Sequence, residues 1–184
     1  MKVTYISHSG FLIETKNCLF LFDYYEGKIP PLSQEKPLFI FVSHWHSDHF
    51  NPEIFSIRHE KVHYILSHDT RKHLPAGISP ENLCFMKPEE KLDFTLEDGN
   101  EHFTVETLKS TDCGVAFLIY YRRKYLYHAG DLNWWVWQGE TKQYNSNMTA
   151  NFLHYTKPLE NLDIWAAFLP LDPRQEEWYS KGFL

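Results

Sequence analysis

The sequence predicts an α/β protein with its sheets inside and its helices outside, on three observations. Strand-like segments joined by tight turns open the chain. Residues 38–43 form a continuous apolar run, as expected of a strand covered on both faces. Strand and helix signals then alternate toward the C-terminus, with short connections and no low-complexity tract.

The elements follow in order. Lys2 to Ser7 alternates in polarity, and a turn at His8-Ser9-Gly10 leads into Phe11 to Thr15. Lys16-Asn17 turns the chain again into the apolar stretch Cys18 to Asp23, so the first three strands read as an antiparallel meander. Tyr24 to Pro37 carries Gly27, Pro30, Pro31 and Pro37 and reads as a loop. Leu38 to Ser43 is the buried strand. Asn51-Pro52-Glu53 is a helix start, with a capping side chain, a proline at the first helical position and an early acid; this short helix runs through Arg58. Val62 to Leu66 is a strand, Ser67 caps a second short helix through Leu74, and Pro75 to Pro88 reads as irregular. Lys91 to Phe94 and Glu101 to Leu108 are strands around a turn at Asp98-Gly99-Asn100. Val115 to Tyr121 and Lys124 to His128 form a hairpin with Arg122-Arg123-Lys124 at its tip. A helix is expected within Met148 to Tyr155, and Ile164 to Leu169 is a last strand.

Composition narrows the function. The chain has 184 residues, 43% of them hydrophobic and 23% charged, which suits a single folded domain over residues 1–184 and excludes a disordered chain. Aromatic residues reach 17%, so a core or pocket must be rich in rings. No apolar run approaches the roughly 20 residues needed to span a bilayer, and the first residues run directly into strand sequence without a signal core, so a cytoplasmic protein is expected. A net charge of −6 without a basic block argues against a nucleic-acid or membrane partner and leaves a small-molecule substrate. Cys18, Cys84 and Cys113 form no Cys-x-x-Cys pair, so neither a disulfide framework nor a thiolate zinc site is expected.

Histidine is the anomaly. Ser43-His44-Trp45-His46-Ser47-Asp48-His49 places three imidazoles and a carboxylate within six residues, between a buried strand and a helix start. In an extended backbone His44 and His46 face one way, and Trp45 faces the other, toward a core. Imidazole nitrogen and carboxylate oxygen suit Zn²⁺, with Mn²⁺ or Fe as alternatives.

Residues 44–49 resemble the His-x-His-x-Asp-His signature of the metallo-β-lactamase fold superfamily at every fixed position. Tyr127-His128-Ala129-Gly130-Asp131 is similar to the family's Gly-Asp segment at the end of a strand. Ile6-Ser7-His8-Ser9-Gly10-Phe11-Leu12-Ile13-Glu14, followed by Leu21-Phe22-Asp23, resembles the opening of small bacterial hydrolases related to ascorbate-6-phosphate lactonase. The resemblance implies an αββα sandwich and a metal-dependent hydrolase acting on a small ester, lactone, amide or phosphodiester. It implies His44, His46, Asp48, His49 and Asp131 as metal ligands for one or two ions, with Asp131 bridging and Asp48 doubling as catalytic base. Asp23 would orient a histidine ligand.

The chain departs from that pattern at two points. The loop Lys109-Ser110-Thr111-Asp112-Cys113-Gly114 lacks the family's next histidine, and His102 lies seven strand residues, roughly 23 Å, away. The sequence ends at Phe183-Leu184 before the family's last histidine, so the fold is expected to lack its C-terminal strand and helix and to leave an edge that a homo-oligomer can cover. His8, Asp112, Cys113 and His128 are candidate substitutes, and Lys109 can place an ammonium near the site. Trp134 and Trp135 either wall a substrate pocket or fill the core from a short helix. Arg174 reads as a surface ion pair, and the remaining histidines, including His63 and His73, as surface or helix-end residues. A metal- or ligand-binding protein of the same fold without catalysis is the alternative to a hydrolase.

Overall fold

A computed structural model describes residues 1–78, 82–96, 99 and 101–183. The chain divides into two units, residues 1–87 and 88–184, each built on one mixed sheet. With few helices beside them, these sheets make the α/β class expected from the sequence.

The first unit holds β1 (Lys2–Ser7), β2 (Gly10–Glu14), β3 (Leu19–Phe22), β4 (Leu38–Val42), β5 (Val62–Ser67) and β6 (Leu83–Met86), which lie in that order across the sheet. The expected meander is present: β1 to β3 pair antiparallel. From β3 to β6 the pairing is parallel. Gly10 closes the first turn where a side chain has no room, since a Cβ there would stand 2.9 Å from the Ser7 carbonyl oxygen. Every residue of β3 and β4 is buried, which is why neither strand alternates in polarity. Leu21, Leu38, Ile40 and Val42 pack with Ile54 and Leu66 on one face. The alternate positions bring Phe22 over Phe41, stacked at 4.8 Å between centroids.

Three expectations need correction in this unit. Leu83–Met86 is a strand within the stretch read as irregular; Ser79, Pro80 and Glu81 lie outside the described residues. Four residues flanked by prolines carry little pattern of their own, and β6 exists by pairing with β5. Both short helices are 3₁₀ turns, Pro52–Ser56 and His68–His73. Asn51 caps the first as expected, its Oδ1 accepting from Glu53 N, but the Ser67 side chain makes no cap bond.

The second unit holds β7 (Lys91–Thr95), β8 (His102–Lys109), β9 (Val115–Tyr121), β10 (Lys124–His128) and β11 (Ile164–Phe168), ordered β11-β10-β9-β8-β7. β7 to β10 are antiparallel, and β11 joins β10 in parallel. The turn expected at residues 98–100 includes Asp98 and Asn100, which lie outside the described residues, as does Leu184. The β9–β10 hairpin turns on Arg122 and Arg123, both in the left-handed region at φ 50° and 66°, the sign a two-residue type I′ turn requires.

One α-helix, α1 (Lys142–Thr156), provides the parallel crossover and begins well before the expected Met148. Asn145, Ser146 and Asn147 are poor helix formers and hide its first turns in the sequence. Those turns are secured by the Thr141 cap, which accepts from Tyr144 N, and by Asn145, whose amide exchanges bonds with the Trp137 backbone at 3.1 and 2.8 Å. Phe152 and Tyr155 turn toward Leu108, Leu118 and Tyr127, forming the unit's core.

Candidate metal centre

The site begins where β3 and β4 end. Their parallel register pairs Phe22 with Phe41, so the next residue, Asp23, emerges beside Ser43, and Asp23 N donates to the Phe41 carbonyl. Asp23 is wholly buried and takes a left-handed backbone at φ 39°, a conformation aspartate tolerates better than most residues. Its carboxylate accepts hydrogen bonds from Ser43 N at 2.7 Å, Ser43 Oγ at 2.6 Å and His49 Nδ1 at 2.8 Å.

This chain of bonds sets two tautomers. A carboxylate only accepts, so His49 carries its proton on Nδ1, and Ser43 Oγ spends its own proton on Asp23. The same Ser43 Oγ lies 3.0 Å from His44 Nδ1 and therefore accepts from it. Both rings are thereby anchored through Nδ1, leaving each a basic Nε2, and both Nε2 atoms are buried. Such outer bonds raise the basicity and fix the aim of histidine ligands. Asp23 thus contacts His49 directly and His44 through Ser43. Ser43 was missed, although a hydroxyl directly preceding the first histidine at a strand end was the available signal.

Beyond β4 the backbone bends instead of continuing extended, with His49 N and Phe50 N both donating to His46 O. The bend gathers the rings: His44 lies 4.7 Å from His46 and 4.1 Å from His49 between centroids. His44 and His46 each offer a ring nitrogen within 4.8 Å of the other. Asp48 stands at the mouth, its Oδ2 3.9 Å from His49 Nε2 and 3.2 Å from His8 Nε2. Donors about 2.1 Å from a tetrahedral ion sit roughly 3.4 Å apart, so the spacing of His8, Asp48 and His49 suits a shared divalent cation. These residues form a group of potential ligands in the first unit.

Trp45 is not core. It is 41% exposed, because the bend turns it outward, and its indole stacks on His73 at 4.7 Å and 10° between planes. His73 is thus more than a helix-end residue, and His63 likewise stacks on Phe39 at 4.9 Å.

In the second unit Asp131 follows β10 on the turn after Gly130, half-buried, and Asp112 lies exposed on the loop between β8 and β9. Thr111 joins the two segments: its Oγ1 donates to Asn133 O at 2.6 Å and accepts from Asn133 N at 3.0 Å. Asp112 and Asp131 each offer a carboxylate oxygen within 4.8 Å of the other. Cys113, beside Asp112, is half-buried and forms no disulfide.

His128 is buried at the end of β10, with Nδ1 accepting from Gly130 N at 3.2 Å, which stabilises the turn ahead of Asp131. Lys109 is exposed and carries its ammonium over the Tyr155 ring at 5.0 Å; bonding to that tyrosine raises its pKa. The Trp134–Trp137 segment is irregular, not the short helix considered from the sequence. Trp134 lies against Phe152 and donates from Nε1 to Thr149 Oγ1, while Trp135 donates to the Asp131 carbonyl at 2.9 Å. Arg174 pairs with Asp172, as expected, and lowers that carboxyl's pKa.

No protein-family profile matches the chain. A UPF0173 metal-dependent hydrolase of Opitutus terrae is 29% identical over 146 residues, covering 71% of this chain and 63% of the relative, so the chain spans less than two thirds of that protein. Igni18, a metallo hydrolase of Ignicoccus hospitalis, aligns with TM-score 0.50 at 17% identity, over 70% of this chain and 59% of its own. Candidate metal-dependent hydrolases from Parabacteroides distasonis and Veillonella parvula align with TM-scores of 0.50 and 0.52 at 14% and 16% identity. The first pairing covers 91% of this chain and 93% of the other, the second 80% and 67%. No described helix is long and apolar enough to cross a membrane. The chain is similar in sequence to a UPF0173 metal-dependent hydrolase and shares the fold of these solved hydrolases, in keeping with the resemblance of residues 44–49 to the metallo-β-lactamase superfamily.

Proposed function

We propose that this protein is a metal-dependent hydrolase of a small ester, lactone, amide or phosphodiester. The observation that carries the reading is the bond chain from Asp23 through Ser43 to His44 and directly to His49. A buried carboxylate that commits its bonds to aiming two imidazoles has a ready purpose if those imidazoles bind a metal.

In this reading His44, His46 and His49 present ring nitrogens to the metal, and Asp48 contributes a carboxylate with His8 beside it. The resemblance gives Asp131 a place in the donor set, and Asp112 is the candidate for the histidine missing from its loop. Three or four nitrogen and oxygen donors per ion suit zinc, and manganese or iron as alternatives. When bound, the cation supplies Lewis acidity that acidifies a water and polarises the attacked carbonyl. Asp48, half-exposed at the mouth, receives the proton of the attacking water and returns it to the leaving group. Asp23 and Ser43 hold the histidines in place throughout, so little reorganisation accompanies the reaction.

Elemental mass spectrometry on untagged protein, with a screen of aryl esters, lactones, amides and phosphodiesters, tests this. One or two equivalents of zinc, manganese or iron are expected, with turnover that His46→Ala and Asp131→Ala abolish together with metal. Protein that takes up none of these metals on soaking overturns the reading. Metal retention without hydrolysis of any ester, lactone, amide or phosphodiester favours the non-catalytic alternative.

A further inference from the structure

A cleft of about 570 Å³ opens beside His46 and Asp48, with Trp45, His73, Phe50 and Pro52 as its other principal walls. We infer that this cleft is the substrate's side-group subsite, and that it selects carboxylic-acid derivatives bearing a flat, aromatic substituent. The inference rests on the hydrolase reading and names the substrate class of the same centre.

Three features lead there. The first is Trp45 itself, a residue usually buried, here 41% exposed on the bend between two proposed ligands. Its ring is held in place: it stacks on His73 at 10° between planes and meets His46 edge-on at 4.6 Å, so the indole presents a fixed flat wall. A rigid aromatic wall binds a second ring with little loss of conformational freedom.

The second feature is the mixed lining. The proposed ligands His46 and Asp48 share the cleft with the apolar side chains of Trp45, Phe50 and Pro52, so a reacting carbonyl and an apolar substituent would be held by the same walls. Phe50 is anchored beneath, 4% exposed and edge-to-face with Phe55. The volume suits a small molecule with one ring beyond its reacting group.

The third feature is charge. The lining includes neither lysine nor arginine, and Asp48 contributes a carboxylate. A phosphate monoester or diester would meet no guanidinium or ammonium along this wall, whereas a neutral ester, lactone or amide meets no penalty.

The test is a titration with phenylacetamide, acetamide and phenyl phosphate, followed by the tryptophan indole N–H signals, with Trp45→Phe identifying the Trp45 resonance. Phenylacetamide is expected to bind about tenfold more tightly than acetamide and to shift the Trp45 signal. Trp45→Ala is expected to remove that preference, and Trp45→Phe to keep most of it, both with metal content and circular dichroism unchanged. Equal affinity for phenylacetamide and acetamide, a preference that survives Trp45→Ala, or tighter binding of phenyl phosphate overturns the inference. The hydrolase reading fails separately, as protein that takes up no metal, because the aryl preference is read by the same titration with or without metal.

Discussion

Asp23→Asn breaks the orientation of the histidines while keeping the shape of the site. The amide oxygen still accepts from Ser43 N, but the amide nitrogen cannot accept from Ser43 Oγ or His49 Nδ1, which lie 2.6 and 2.8 Å from the native carboxylate oxygen. Each bond to a charged acceptor is worth about 1.5–3 kcal/mol, and Ser43 Oγ recovers one by rotating to accept, so a net loss of about 2–4 kcal/mol is expected. For a chain of this length that lowers Tm by about 5–15 °C. His49 loses its anchor as well, and such losses weaken metal binding about 10–100-fold. Urea unfolding followed by circular dichroism reads the first effect, and zinc competition against a fluorescent chelator reads the second. Ser47→Ala, at an exposed position of the same bend, is the control. Wild-type values for Asp23→Asn in both assays would refute the reasoning, since a carboxylate with no measurable effect on stability or metal is not positioning His49.

Three further outcomes are expected. Zinc at 100 times its dissociation constant stabilises the protein by about 2.7 kcal/mol, so EDTA lowers Tm and excess zinc restores it; a Tm indifferent to both would contradict the metal site. Burial of Tyr127 raises its phenol pKa well above the usual value. Below about pH 10 both states hold this proton, and above it only the unfolded state releases it, so stability falls with rising pH by up to about 1.4 kcal/mol per unit. Tyr127→Phe should flatten that alkaline limb in guanidinium unfolding, and parallel limbs would count against the burial argument. Asp69 has both carboxylate oxygens shielded from solvent without a hydrogen-bond partner among the described residues. Asp69→Asn keeps the side-chain shape and removes the charge, and is expected to raise stability by about 1 kcal/mol in thermal unfolding; a lower Tm would show that the carboxylate has a use.

Local pattern made much of this protein legible. Strands β1 to β5, β9 and β10 lie within a residue or so of where alternation and apolar runs put them, because each has a burial pattern of its own. The cluster at residues 44–49 was legible for a different reason, since the crowding of four donors is itself a chemical signal. β6 and the first turns of α1 were not legible. Prolines around Leu83–Met86 and the Asn-Ser-Asn run after Tyr144 outweigh weak local preferences, and it is strand pairing and the Trp137 backbone that stabilise those elements.

By itself the sequence determined the α/β class, most of the strands and the candidate metal-ligand residue types at positions 44–49, all properties of residues near one another in the chain. Only the tertiary structure decided which nitrogen each histidine offers and which way Trp45 faces. Asp23 and Ser43 are 20 residues apart and meet because β3 and β4 pair in parallel, and that pairing sets the tautomers of His44 and His49. The bend after Val42 overrides the two-residue alternation that would have sent Trp45 inward, because His46 O collects the amides of His49 and Phe50 and turns the chain there.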